Sequence, residues 1–349
     1  MSTARYAAQA RDRLARVAQS GLDDRMLRLR LLDEIRHAVP FDAYAWLLTD
    51  PETSVGSSPL ADVPCLPELP RLIRLKYITA VNRWTTLDPI GLLRDATAGE
   101  PARSLLWREL LQAYDVVDVA SIVFRDAFGC WGFLDLWRGS TLGPFSAADA
   151  AFLSSICAPV TAALRVTQSR TFVEGAERKA RRGSVMLLLS DDLVVQGQTP
   201  ETLDYLRVLV PPDLDRPPIP ASAYNVAAQL LANEAGVDDN LPSARVHLAG
   251  GQWLTLRAAR IDDGQSASRI AVTIDDTAPL DRARLFASAH GLSARETELL
   301  GHLAAGADTH TLARLMFLSE HTIQDHLKSV FAKTSVHTRR ALLARALGV

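Results

Sequence analysis

The stretch SEHTIQDHLKSVFAKTSV, from Ser319 to Val336, decides how the C-terminal part of this 349-residue chain is interpreted. Ser319 is a residue type that caps helices, and the apolar residues after it recur at the spacing of one helical face. These apolar residues are Ile323, Leu327, Val330 and Phe331. The opposite face carries Gln324, Asp325 and Lys328, which neither a core nor a plain solvated surface requires. The stretch therefore predicts a helix with a buried back and a polar front.

The surrounding residues predict three more short helices. The sequence SARE is a capping box, in which Ser293 caps a helix, Glu296 reaches back to it, and Gly306 ends the helix. Asp308 is the expected cap of a second helix, the tight turn FLS leads to the third, and TRRALLARAL forms the last. Two short helices, a tight turn and a third helix with a polar front predict a helix-turn-helix unit.

The third helix of such a unit lies in the major groove of double-stranded DNA. There we expect Gln324, Asp325 and Lys328 to face base edges, where Gln can pair with adenine, Lys with guanine, and Asp can accept from the cytosine amino group. Three further residues sit where DNA phosphates are met, helped by the N-terminus of the helix. These expected phosphate contacts are Ser319, Thr322 and Lys333.

This segment resembles the DNA-binding domain of LuxR-type transcription regulators. The matching positions are Glu296, Leu300, Gly306, Ala313, Leu315, Ser319, Thr322, Ile323, His326, Lys333 and Arg339. Thr311 stands where the family usually has Glu and Ser335 where it has Gly, so we expect a changed helix cap and a changed turn. The resemblance implies sequence-specific DNA binding, adds Arg339 to the expected DNA contacts, and implies RNA polymerase as a partner if the protein is an activator.

Charge favours a dimer. The whole chain carries a net charge of −2, so DNA binding has to come from a local surface. Residues 293–349 hold seven Lys and Arg against five Asp and Glu, a modest excess for a strong binder. We therefore expect a homodimer whose two units read half-sites roughly one helical turn apart.

The chain has three cysteines, no C-x-x-C motif, no signal peptide and no apolar run long enough to span a membrane. These features predict a soluble, cytoplasmic protein without disulfides and without membrane contact. No motif requires a cofactor, and the eight histidines form no zinc-like pair, so no metal is expected.

Two blocks precede the DNA-binding segment. In residues 1–170, strand-like runs at 44–49, 119–126 and 130–138 lie between an N-terminal helix and a long exit helix, an order that resembles a GAF domain. Residues 184–278 show two short strands, helices with a Pro-rich loop at 211–220, and three further strands, an order that resembles a PAS domain. A helical linker at 171–183 and a second linker at 279–291 separate the domains, and residues 292–349 are the helix-turn-helix domain. The predicted fold class is thus multidomain α+β: a GAF-like antiparallel sheet domain, a PAS-like α+β domain and an all-α C-terminal domain.

The first block is rich in aromatic residues, which line apolar ligand sites but are also ordinary core residues. The candidate ligand-binding residues are Trp46, Tyr77, Trp84 and Trp131. Cys130 and Cys157 lie in apolar stretches and are expected to be buried, inert thiols. An effector is expected in either block, with its identity unknown.

Three functions compete at this point. The first is a transcription regulator gated by a small molecule in either block, with an exit helix over 145–182 carrying the signal. The second is the same DNA reader with N-terminal blocks that serve only dimerisation or protein-partner binding. The third, remote alternative is an enzyme, but no P-loop, nucleophile elbow, zinc-protease motif or Rossmann glycines occur, so catalytic residues are not predicted. A phosphoacceptor receiver domain is excluded because the predicted strands are antiparallel.

Overall fold

The computed structural model describes residues 3–173, 185–202, 220–248, 251–261 and 269–348. It opens with two helices, α1 (Thr3–Ala18) and α2 (Asp24–Ala38), where the sequence predicted one helical run. The run breaks at Gly21, whose φ of +77° is open to glycine and costly for other residues. The Asp23 side chain then starts α2 by accepting a hydrogen bond from the Met26 amide at 2.8 Å.

The first block is built on a five-stranded antiparallel sheet. Its strands are β1 (Ala43–Thr49), β2 (Gly56–Asp62), β3 (Ile90–Leu92), β4 (Val116–Asp126) and β5 (Gly129–Gly139), in the spatial order β2-β1-β5-β4-β3. Helix α3 (Leu69–Ile78) and the short helices α4 (Leu93–Ala96) and α5 (Leu105–Glu109) lie between β2 and β4 in the chain. Strands β4 and β5 are buried on both faces, which explains their nearly continuous apolar sequence.

The exit helix α6 (Ala147–Ser169) begins with a capping box formed by Ser146 and Asp149. It is long and apolar enough to cross a membrane by length and composition, yet one side of it is buried against the first sheet and α1. The helix ends at Ser169, so the predicted continuation to residue 182 is wrong over 171–173, and the rest of the predicted linker lies outside the described residues. Phe172 instead turns inward and stacks on Trp253 with ring centroids 5.2 Å apart.

The second block contains another five-stranded antiparallel sheet. Its elements are β6 (Val185–Leu189), β7 (Val195–Gln198), α7 (Ala221–Glu234), β8 (Ser243–His247), β9 (Trp253–Ile261) and β10 (Arg269–Asp276). The spatial order β7-β6-β10-β9-β8 repeats that of the first sheet when the strands are counted within each block. The Pro-rich loop predicted near residues 211–220 lies almost entirely outside the described residues.

Helix α7 is buried nearly all round because it has two neighbours. One side covers its own sheet, and the other packs on α3 and β2 of the first block. Polar contacts also join the two blocks: the buried side chains of Asp50 and Arg245 form two hydrogen bonds of 2.6 Å each, and the hydroxyls of Thr53 and Thr85 donate to Ser243 and Asp238.

Five helices complete the chain: α8 (Pro279–Ala289), α9 (Ala294–Ala304), α10 (Thr309–Met316), α11 (Glu320–Thr334) and α12 (Arg339–Leu347). The predicted linker at 279–291 is therefore mostly helix. Its apolar residues explain this difference, because Leu285 and Phe286 are buried on a helix that packs against α9, α12 and α6. The last four helices lie where the sequence predicted them.

Candidate nucleic-acid interface

The helices of the C-terminal unit start at the side-chain caps that the sequence predicted. Ser293 Oγ accepts a hydrogen bond from the Glu296 amide, and the Glu296 carboxylate accepts one from the Ser293 amide at 2.6 Å. Asp308 caps α10 by accepting from the Thr311 amide at 2.7 Å. The cap of α10 is thus formed although Thr311 replaces the glutamate usual in LuxR-type domains.

Helix α11 has the buried back and exposed front that its sequence predicted. Ser319 caps it by accepting from the Thr322 amide at 3.1 Å, and the hydroxyls of these two residues lie 2.8 Å apart. Ile323, Leu327 and Val330 are buried, whereas Phe331 is only half-buried. Gln324, Asp325 and Lys328 are all exposed on the front. These polar side chains therefore project from a helix whose opposite face is packed.

The front of α11 carries one exposed ion pair. Lys328 Nζ donates to Asp325 Oδ1 at 3.1 Å, and His321 Nε2 lies 3.7 Å from Asp325 Oδ2. The hydrogen bond from Lys328 lowers the pKa of Asp325 below its ordinary value. Since exposed pairs contribute little stability, both side chains can exchange this contact for one with a ligand at small cost.

Lys333 is engaged within the protein. Its Nζ lies 2.6 Å from Glu296 Oε2, and Ser329 Oγ donates to Glu296 Oε1 at 2.6 Å. Burial would raise the pKa of Glu296, but the bonds from Lys333, Ser329 and Ser293 lower it to about 2. Lys333 is predicted from the sequence to contact a phosphate, and its pairing with Glu296 is not, although both residues are among the positions that match the LuxR-type pattern.

Arg339 joins two helices in a similar way. Its Nη2 donates to Thr309 Oγ1 at 2.7 Å, so the start of α12 is held against the start of α10. The side chain is half-buried. Among the predicted DNA contacts, Lys333 and Arg339 thus differ from the others, because each is bonded to a side chain of another helix.

The comparison with protein families agrees with this geometry. Residues 290–346 match the model of the bacterial regulatory proteins of the luxR family. The C-terminal region is a LuxR-family helix-turn-helix domain. Over 54 residues the chain is 39% identical to the monoamine regulon transcriptional regulator of Klebsiella aerogenes, which covers 16% of this chain and 24% of that protein. The chain thus spans about a quarter of the curated relative it matches.

Solved structures resemble the chain only weakly. A bacteriophytochrome of R. palustris aligns at a TM-score of 0.33 and 12% identity, covering 78% of this chain and 62% of that one. The sensor region of a sensor histidine kinase aligns at a TM-score of 0.16 and 14% identity, covering 67% of this chain and 84% of that one. Scores this low carry no conclusion about the fold.

The LuxR-family domain is packed against the rest of the chain through α12 and α8. Arg345 on α12 donates to the carbonyl of Phe172 at 3.0 Å and to that of Thr334 at 2.9 Å. Gly291 (φ +64°) leads into the domain, and a Cβ atom there would lie 2.9 Å from Arg165 Nη1 of α6. The exit helix and the LuxR-family domain therefore touch directly.

The predicted ligand residues of the first block separate into two pairs. Trp46 and Trp131 belong to the core between the first sheet and α6, where Trp46 stacks on Phe124 with centroids 5.3 Å apart. Tyr77 and Trp84 instead line a cavity of about 170 Å³ on the other side of the sheet. The structure thus brings two of the four residues together at a cavity and places the other two in packing roles.

The cysteines are buried as predicted, and burial raises the pKa of Cys130 and brings that of Cys157 to about 11. In the part of the chain that the structure describes, no group of three or more His, Cys, Asp or Glu residues is arranged to hold a metal ion.

Proposed function

We propose that this protein is a sequence-specific DNA-binding regulator of transcription. The observation that carries the proposal is the front of α11, where Gln324, Asp325 and Lys328 are exposed on a capped helix of a LuxR-family domain. The back of the same helix is fixed by buried apolar residues, so the three side chains project from a defined position. Such pre-organised polar groups suit the edges of base pairs in the major groove.

The exposed residues and the engaged cations take different roles in this proposal. Gln324, Asp325 and Lys328 read base edges, while Ser319 and Thr322 meet a phosphate at the N-terminus of α11. Lys333 and Arg339 approach phosphate while they hold the helices together, so any phosphate contact competes with Glu296 and Thr309.

The functional unit is proposed to be a cytoplasmic homodimer on two half-sites. The modest positive charge of one domain favours two domains acting together. An activator would also contact RNA polymerase.

The N-terminal blocks are proposed to modulate DNA binding through a small molecule. The repeated strand order of the two sheets supports the GAF-like and PAS-like interpretation of these blocks. A cavity lined by residues of both blocks and the contact between α6 and the LuxR-family domain support a coupling between ligand and DNA. If no small molecule binds, the blocks serve dimerisation or protein partners.

Selection of bound sequences from a random double-stranded DNA pool, followed by footprinting, tests the proposal. Because one good bidentate base contact contributes about 1–3 kcal/mol, Lys328→Ala should lower affinity for the selected operator about tenfold or more. Arg295→Ala, which removes an exposed cation paired with Glu298 on α9, is the matched control and should bind nearly as wild type. Equal losses for both variants would contradict base reading by α11, and a footprint on one half-site would contradict the dimer.

A further inference from the structure

The cavity beside Tyr77 and Trp84 is formed by both N-terminal blocks. Strands β1, β2 and β5 and helix α3 supply most of its wall, and α7 of the second block closes it with Ala221 and Asn225. Ala61, on β2, lines the cavity and is exposed, so it marks the mouth. A molecule in this cavity would contact the two blocks at once.

Two buried side chains at this cavity have polar atoms without partners among the described residues. Asn225 is fully buried, and neither its amide nitrogen nor its amide oxygen makes a hydrogen bond. Trp137, 2% exposed, also has an unpartnered Nε1. Buried polar groups in proteins are nearly always paired, so these two call for an external donor and acceptor.

Tyr77 adds a third polar group close to Asn225. A Cβ atom placed on Gly56 would lie 3.2 Å from Tyr77 Oη and 3.3 Å from Asn225 Cγ, so both side chains end at the same point of β2. Tyr77 Oη accepts a hydrogen bond from the Gly56 amide at 2.9 Å, which leaves its own proton to donate.

The charged residues of the cavity satisfy each other. Lys76 Nζ lies 2.9 Å from Asp135 Oδ2 and donates to Ser121 Oγ at 3.1 Å. Trp84 Nε1 donates to Asp135 Oδ1 at 3.0 Å, and the Lys76 ammonium faces the Trp84 ring at 4.5 Å. The pair of Lys76 and Asp135 is therefore electrically neutral and hydrogen-bonded. An ionic ligand would bring a buried charge into the cavity without a counter-charge.

From these observations we infer that the cavity binds a neutral, single-ring molecule with a cis-amide edge, such as a lactam or cyclic imide. A volume of about 170 Å³ is close to the roughly 150 Å³ cavity that admits benzene, and well below drug-sized pockets. The amide of Asn225 can form two parallel hydrogen bonds with an adjacent N–H and C=O, as one amide pairs with another. The inference deepens the proposed small-molecule regulation, because such a ligand would bridge the first block and α7.

The probe for this site is 2-pyridone, a flat ring with the required edge. Binding to the full-length protein is measured by calorimetry and thermal shift without DNA, so the result is independent of whether the protein binds an operator. N-methyl-2-pyridone lacks the N–H and should bind about tenfold more weakly or worse, since one of two hydrogen bonds is lost. Benzoate, which is charged, should not compete with 2-pyridone.

Variants of the cavity complete the test. Asn225→Leu keeps the volume and removes the amide, so it should weaken 2-pyridone about tenfold or more while toluene still binds. Ala61→Trp should block the mouth, whereas Asp62→Trp, the next exposed residue of β2 with its side chain on the other face, should bind as wild type.

Three results would overturn the inference: no binding of 2-pyridone at millimolar concentration, equal binding of the N-methyl compound, or unchanged binding by Ala61→Trp. The N-methyl comparison uses the wild-type protein, so it decides even if Asn225→Leu does not fold.

Discussion

At the scale of single residues, Glu296 is a buried carboxylate that connects two helices of the LuxR-family domain. Its carboxylate receives hydrogen bonds from the Ser293 amide, Ser329 and Lys333, and its pKa falls to about 2 from an ordinary value of 4.5. A carboxylate whose pKa is lower in the folded state stabilises that state above its unfolded pKa, and this contribution is lost as pH falls. Glu296→Gln should therefore cost about 1–3 kcal/mol of unfolding free energy at neutral pH.

The cost of Glu296→Gln should shrink as pH is lowered from about 4.5 towards 2, because wild-type Glu296 becomes protonated over this range. Thermal unfolding of the wild type and of Glu296→Gln at a series of pH values measures this difference in stability. Glu298→Gln is the matched control, since Glu298 is an exposed carboxylate on the same helix, and its effect should be small at every pH. A stability difference between wild type and Glu296→Gln that stays constant down to pH 2 would refute this account.

At the scale of elements, the backbone conformation at the end of α11 affects the stability of the domain. Ser335 ends α11 in the left-handed conformation (φ 54°, ψ 41°), at the position where LuxR-type domains usually have Gly. The turn expected to change has thus kept a glycine-like geometry and carries a side chain there at a cost. Ser335→Gly should raise the unfolding free energy by about 0.5–1 kcal/mol, and Ser335→Ala should not. Urea denaturation measures both, and equal stabilities would contradict the expected strain.

Elements with strong local signals were predictable from sequence, and weak ones were not. The caps at Ser293, Asp308 and Ser319 and the apolar strands β1, β4 and β5 lie where sequence placed them, because each signal is contained in a few neighbouring residues. Strand β2 was missed because its sequence GSSPLAD contains Gly, Pro and two Ser, and only pairing with β1 makes it a strand.

Contacts between elements could not be predicted from the sequence for a different reason. The exposed front of α11 follows from helical periodicity alone, so Gln324, Asp325 and Lys328 were identified. The bond between Lys333 and Glu296 depends on how α11 packs on α9. Likewise, Asn225 reaches a cavity of the other block only because α7 packs on α3. Periodicity identifies the buried side of a helix but not what it is buried against.

At the scale of the whole molecule, a buried ion pair joins the two N-terminal blocks. Both oxygens of Asp50 receive hydrogen bonds from the Arg245 guanidinium, and the Arg245 amide donates to Asp50 Oδ2 at 2.8 Å. The Arg245 guanidinium also donates to the carbonyl of Asp281 on α8 at 3.1 Å. The first block, the second block and the helix that precedes the LuxR-family domain therefore meet at one arginine, whose side chain is 7% exposed.

Removing one partner of this pair should destabilise the contact between the blocks. Asp50→Asn leaves the buried Arg245 guanidinium with one remaining counter-ion, the half-exposed Glu52 carboxylate 2.8 Å from its Nη2, and should cost about 1–3 kcal/mol. Urea denaturation followed by tryptophan fluorescence should then show a lower midpoint, and the double variant Asp50→Asn/Arg245→Met should recover part of the loss because no buried charge remains. Arg103→Met is the control, since Arg103 lies 2.9 Å from Glu100 in an exposed pair away from this cluster and should change stability by less than about 0.5 kcal/mol. If Asp50→Asn is no more harmful than this control, the pair is not what holds the blocks together, and a ligand that binds between them would have to reach the DNA-binding domain through α6 instead.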